Sequence, residues 1–256
     1  MHLLRSEIRK VTTTKVLYFL VLAVVLFTAL NVVLLVFLAP SAVAGAGIDQ
    51  LLLNPDYINN IIGAAGSSSI FVLILGIVAM TGEYRHMTIT TTLLATPRRS
   101  RILLAKGAVF IVIGAVIGVI AFVTAYGLAL LTLAGSEHAP IDNRIALEIF
   151  GGVVLGFAIY AFLGVAVGAL IRNQVAAVVG ALIWVLIVEA LLTVFVDWLG
   201  KWLPGGALGA ILQSSNVGGP GGSEMLSVGA GAAVLIGYAV VLGALASRTT
   251  MRRDIT

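Results

Sequence analysis

The chain alternates between long apolar runs and short polar interruptions. Six runs, 16–39, 61–82, 107–134, 145–171, 175–196 and 225–247, are long enough to cross a hydrocarbon core of about 30 Å as helices rising 1.5 Å per residue. Residues 1–15 precede them with Arg5, Glu7, Arg9, Lys10 and Lys15, while Leu3, Leu4, Ile8 and Val11 fall on one helical face. That pattern predicts an interfacial helix, its basic side toward anionic lipid. Ala42-Val43-Ala44 imitates a signal-peptide cleavage site. The apolar run before it exceeds the h-region of about 7–15 residues, so 16–39 is read as a span. Its one polar group, Asn31, is expected to bond to a neighbouring helix.

The runs are joined by loops at 40–60, 135–144 and 197–224 on one side, and by 83–106 and a tight turn at 172–174 on the other. Within 197–224, the apolar stretch 206–212 is too short to span. It either dips into the leaflet as a re-entrant piece, with protein covering its backbone, or rests on the headgroups. Small and hydroxyl residues open the second run: Gly63, Gly66, Ser67, Ser68 and Ser69. They fit close helix packing or a polar stretch of pathway. Glycine pairs at i,i+4 recur at 114/118, 152/156 and 164/168, a spacing too common in membrane helices to identify a dimer face. Glu189 is the one ionisable residue deep in a run, about 10 Å from its nearer end. It either ties two helices together or lines the pathway.

Charge orients the bundle. Thirteen cations (Arg5, Arg9, Lys10, Lys15, Arg85, Arg98, Arg99, Arg101, Lys106, Arg172, Arg248, Arg252 and Arg253) fall on the side of the termini, and only Arg144 and Lys201 on the other. The positive-inside rule then places both termini in the cytosol. Composition agrees with a membrane protein. Of 256 residues, 60% are hydrophobic and 10% charged, with a mean hydropathy of +1.13, more apolar surface than one soluble core can hide. Cysteine is absent, which excludes disulfides and thiolate metal sites. The three histidines, His2, His86 and His138, lack metal-ligand spacing. No G-x-x-x-x-G-K-[ST] stretch provides a nucleotide loop, no Ser-His-Asp set or pair of membrane acids supports a hydrolase, and no matched pair of broken helices marks a secondary transporter.

The most informative polar stretch is 83–106, GEYRHMTITTTLLATPRRSRILLAK counted from Gly82. It allows a short helix over 87–95, stopped by Pro97, with Ser100 placed to cap the next span. Glu83, Tyr84, Arg85 and Thr88, followed by Leu93, Leu94, Ala95, Pro97, Arg101 and Lys106, resemble the E-[YF]-R-x-x-T and L-L-A-x-P-x-x-R stretches of the permease subunits of ABC-2-type exporters. Glu7, Lys10, Thr13 and Thr14 are similar to the E-x-x-K-x-x-T-T start of the same permeases. Met87 departs from the glycine frequent there.

That resemblance implies an all-α integral membrane protein in the ABC-2 (type V exporter-like) arrangement, a single permease domain over 1–256. By it, 83–106 is the cytosolic coupling segment, with Glu83, Tyr84, Arg85, Thr88, Leu93, Leu94, Pro97, Arg101 and Lys106 contacting a separate ABC ATPase. Glu189, Ser67, Ser68 and Ser69 are the pathway candidates. The chain itself is expected to bind no cofactor and catalyse nothing, ATP and Mg sitting on the partner. The other expected partners are a second permease, identical or related, and membrane lipids, with no nucleic acid. A bacterial cell membrane is the expected location, and a hydrophobic or amphipathic substrate (lipid, drug or peptide) suits the apolar walls. An ion- or proton-coupled carrier or channel is the alternative.

Overall fold

The computed structural model describes residues 2–38, 51–85, 99–213 and 226–249. The described residues are helical, with no strand. Helix α1 (His2–Thr12) precedes six helices long and apolar enough to cross a membrane: α2 (Lys15–Phe37), α3 (Pro55–Arg85), α4 (Arg99–Leu133), α5 (Asn143–Ile171), α6 (Gln174–Phe195) and, after two short helices α7 (Asp197–Gly200) and α8 (Pro204–Ile211), α9 (Val228–Thr249). Six crossings bring α1 and the end of α9 to the same end of the bundle, called here the terminal end.

The helix boundaries follow from their caps. Asn54 accepts the amide of Asp56 at 2.9 Å, and Pro55 occupies the first turn of α3. Proline lacks an N–H that this position does not need, and its φ is preset for a helix. The stretch 55–60, read from sequence as loop because of its prolines and aspartates, is therefore helix. Residues Ala64–Ser68 tighten to a 3-10 turn within α3. Helix α4 already includes Arg99 and Ser100, so Ser100 sits inside the helix instead of capping it. At the far end of α5 Arg172 adopts a left-handed conformation, φ 57°. Asn173 accepts the Ala176 amide at 3.0 Å to start α6, so two residues suffice to reverse the chain.

Helix α5 is the axis of the fold, packing against α3, α4, α8 and α9. In its membrane-length stretch 67% of residues are buried, and in α3 78%, against 11% in both α6 and α9. The outer pair therefore presents most of its surface to whatever surrounds the bundle. The three glycine pairs make the contacts of α5. Gly164 and Gly168 lie on the backbone of α3 at Leu73 and Ile77, where Gly76 returns the approach toward Ala161 and Val165. Gly114 and Gly118 admit Phe157, and Gly152 and Gly156 admit Ile211 and Leu208 of α8. Without a hydrophobic drive between helices in lipid, such close approach is what holds them. All three pairs are thus spent within the chain.

Helix α8 packs inward. Ala207, Leu208, Ala210 and Ile211 are buried, and Gly156, beneath Leu208, lies about 20 Å along α5 from Asn143. Protein covers this face of α8, which is the condition a re-entrant helix would have to meet. Asn31 does not reach across to a neighbour: its amide donates to the Phe27 carbonyl of its own helix at 2.8 Å. Bonds joining α2 to α3 are made instead by Thr28, whose hydroxyl donates to Ser68 at 2.9 Å in a buried contact, and by Tyr57, whose hydroxyl donates to the Leu35 carbonyl.

Candidate functional site, a buried charge cluster

Four charged side chains from three helices meet at the terminal end. Lys106, in the second turn of α4, donates to Glu7 Oε2 at 2.6 Å and lies 3.1 Å from Glu83 Oε1. Lys10 reaches the other oxygen of Glu7 at 2.7 Å and the same oxygen of Glu83 at 2.9 Å. Each cation touches both acids and each acid both cations, so the quartet is neutral. It is also dry on one side: the side chains of Lys106, Glu7 and Glu83 are 2%, 3% and 7% exposed, whereas that of Lys10 is 44% exposed. Lys106 also stands 6.0 Å from the centre of the Phe110 ring.

Helical spacing explains how α1 contributes. Glu7 and Val11, four apart, turn inward, and Lys10 flanks them, while Ile8 is exposed. The protein-facing stripe of α1 is therefore polar at one point, with Ile8 turned away from it. An isolated helix of eleven residues is marginal in water, and among its described side chains Glu7 of the cluster and Val11 are the buried ones that attach it. A buried ion pair is weak evidence of net stability, but it specifies register, because any other alignment leaves a charge unpaired. Here it fixes α1 against the ends of α3 and α4.

The sequence-predicted coupling residues divide accordingly. Glu83 and Lys106 face each other inside the protein, and Glu83 takes Lys10 and Lys106 as its cations instead of serving as an exposed contact. Tyr84 is half-buried under Arg172, whose guanidinium lies 5.6 Å from the ring centre. Arg85 is exposed at the end of α3. Arg101 lies in the first turn of α4. Thr88, Leu93, Leu94 and Pro97 fall outside the described residues, as does the expected helix over 87–95. Glu7 and Lys10, absent from the predicted site, are half of it. The available signal was their i,i+3 opposite-charge pair, matched by Glu83 and Lys106.

The pathway candidates lie elsewhere. Glu189 is buried in α6, after a π-helical turn at Trp184–Val188. The Trp184 indole and the Gly205 amide each donate to its carboxylate at 2.9 Å. The acid thus ties α6 to the start of α8. Ser67 donates to Ala64 and Ser68 to Ala65, both at 2.7 Å. Ser68 and Ser69 are buried and Ser67 is exposed. The serine turn meets α8 at its other end, through Gly66 against Leu212, so the serines and Glu189 are not brought together.

A cleft of about 570 Å³ opens beside the cluster, between the α1–α2 junction, the last turns of α3 and the start of α6. Among the described residues no group of His, Cys, Asp and Glu forms a metal-binding set. No protein-family model matches the chain, and no curated protein matches it.

The cluster predicts a pH profile. Burial pushes the Glu7 carboxyl up, but the Lys106 charge and hydrogen bonds from Lys10 and Lys106 outweigh it, and its pKa falls below the ordinary 4.5. Burial pushes Lys10 down, and its bonds to Glu7 and Glu83 reverse this, raising it above 10.5. A depressed acid contributes stability that is complete above its unfolded value and is lost as pH falls through the folded one. A raised amine contributes below its unfolded value and loses it as pH rises through the folded one. Thermal unfolding in detergent is therefore expected to show a plateau between about pH 4.5 and 10.5, with the acid limb flattened in Glu7→Gln. An acid limb identical in the two proteins would contradict the assignment.

Proposed function

We propose that this chain is the membrane-spanning permease subunit of an ATP-driven exporter of the ABC-2 type. Two permeases enclose the pathway, and separate ATPase subunits bind at the terminal end, which faces the cytosol. The observation that carries this reading is convergence. The two stretches that resemble these permeases, around Glu7 and Lys10 and around Glu83 and Lys106, are distant in sequence and meet in one ion-paired cluster. A force applied to the segment between Glu83 and Lys106 cannot move α3 or α4 without moving α1. ATP, binding the partner differently in its two states, can shift the permease only through such a connection. The substrate is hydrophobic or amphipathic, in keeping with the apolar spans.

Because Glu83 is internal, reversing its charge tests folding more than coupling. Arg101, in the first turn of α4, is the better probe. In vesicles holding the chain and the ATPase encoded beside it, export is expected to require ATP. Arg101→Glu is expected to lower substrate-stimulated hydrolysis about tenfold with insertion unchanged. Transport that follows a proton gradient without ATP would replace this reading with that of a coupled carrier.

A further inference from the structure

The cleft beside the charge cluster has two chemically distinct zones. Its wall is apolar, formed by Leu17 of α2 and by Leu75 and Ala79 of α3, and its rim is polar, with Lys10, Arg85 and Gln174. From Leu75 to Arg85 is ten residues of one helix, about 15 Å. That is half of a hydrocarbon core of about 30 Å, the depth of a single leaflet. The lining carries Lys10, Arg85 and Lys106 against Glu83, and adding the adjacent Glu7 still leaves one cation in excess. Arg85 is exposed at the rim and makes no ion pair among the described residues. An ammonium has three donors, and Lys10 uses two of them on Glu7 and Glu83.

We propose that this cleft binds one anionic glycerophospholipid from the leaflet at the terminal end. The phosphate sits between Arg85 and the free donor of Lys10, within reach of the Gln174 amide, and an acyl chain lies along Leu75, Ala79 and Leu17. Basic pockets between spans recognise anionic headgroups in this way. A zwitterionic headgroup brings its own cation to a rim that already has one in excess, so it binds less well. A free phosphate gains nothing from the apolar wall. A lipid held there braces α1 against α3 and α6. The site does not depend on an ATPase partner, because lipid retention is measured on the chain alone.

The test is native mass spectrometry of the delipidated chain in detergent, given equal amounts of phosphatidylglycerol and phosphatidylcholine with the same acyl chains. A one-to-one phosphatidylglycerol adduct is expected, favoured roughly fivefold over phosphatidylcholine. Arg85→Gln should remove most of that preference. Ala79→Phe, which fills the apolar wall, should remove the adduct altogether. Arg85 is exposed, so its variant keeps the fold and decides the matter even if Ala79→Phe does not fold. Equal retention of the two lipids, or a preference unchanged in Arg85→Gln, overturns the proposal. Loss of the adduct to excess inorganic phosphate also overturns it, in favour of a free-anion site.

Discussion

Lys106→Met is expected to be among the most damaging single substitutions in this chain. Methionine keeps an unbranched side chain one atom shorter and removes the charge. It leaves Glu7 and Glu83, both buried, with Lys10 as the one member of the quartet still positive. Breaking a buried charge network at one member costs about 3–5 kcal/mol, because the remaining charge is uncompensated. Reversible unfolding in mixed micelles measures it. The informative partner is Glu7→Gln: the double variant restores neutrality around Lys10 and Glu83, and it is expected to recover at least about 1 kcal/mol relative to Lys106→Met alone. Additive losses would mean that Lys106 acts through packing on Phe110 and not through the acids. The same pair separates structure from coupling. A neutral double variant that folds but no longer transmits ATP-driven motion would place the role of the quartet in mechanical connection.

The second large effect is expected at the crossing of α3 and α5. A Cβ added at Gly164 would run into the Leu73 carbonyl and stand 3.0 Å from the Gly76 Cα. Those are backbone atoms, which cannot swing aside as a side chain does. Gly164→Val is therefore expected to cost about 1–3 kcal/mol or more and to reduce the folded yield in membranes. Gly180 is the control, since a Cβ there meets nothing within 4 Å. Gly180→Ala is expected to be neutral or to stabilise by about 0.5–1 kcal/mol, alanine being the better helix residue. If both behave alike, the close crossing does not hold the bundle together.

These two sites show what could be read in advance. The apolar runs announce six spans because a bilayer imposes length and composition on each helix separately. The tight turn at 172–174 is also local, written in Asn173 as a cap. The start of α3 was misread because proline and aspartate signal both loops and first turns, and only the capping bond of Asn54 decides between them. The glycine pairs were visible, but their partners were not, because i,i+4 spacing specifies a small face and not what lies against it. The charge cluster was hardest to see. Glu83 and Lys106 read as contacts for a partner, and Glu7 and Lys10 as part of a lipid-facing N-terminal helix, since sequence weighs a charge near a membrane end as solvated. Their mutual neutralisation depends on α1 folding back onto α3 and α4, a relation between segments that no periodicity encodes. Glu189 was legible as an anomaly in its span, and the structure supplies its companions, Trp184 and Gly205.

The ion pair between Glu7 and Lys106 joins residues 99 positions apart, and this separation has a consequence for synthesis. The amino terminus leaves the ribosome first. At about 5–20 residues per second, Lys106 follows roughly 5–20 s later. In that interval Glu7 lacks Lys106, and α1 has at most the contact of Lys10 with Glu83 of α3. The N-terminal helix can be clamped only after the third crossing has begun to enter the bilayer. Its locking is therefore a late event for an element made well before its partner, and a ribosome stalled before residue 106 holds a nascent chain in which α1 is still accessible to proteases and to chaperones.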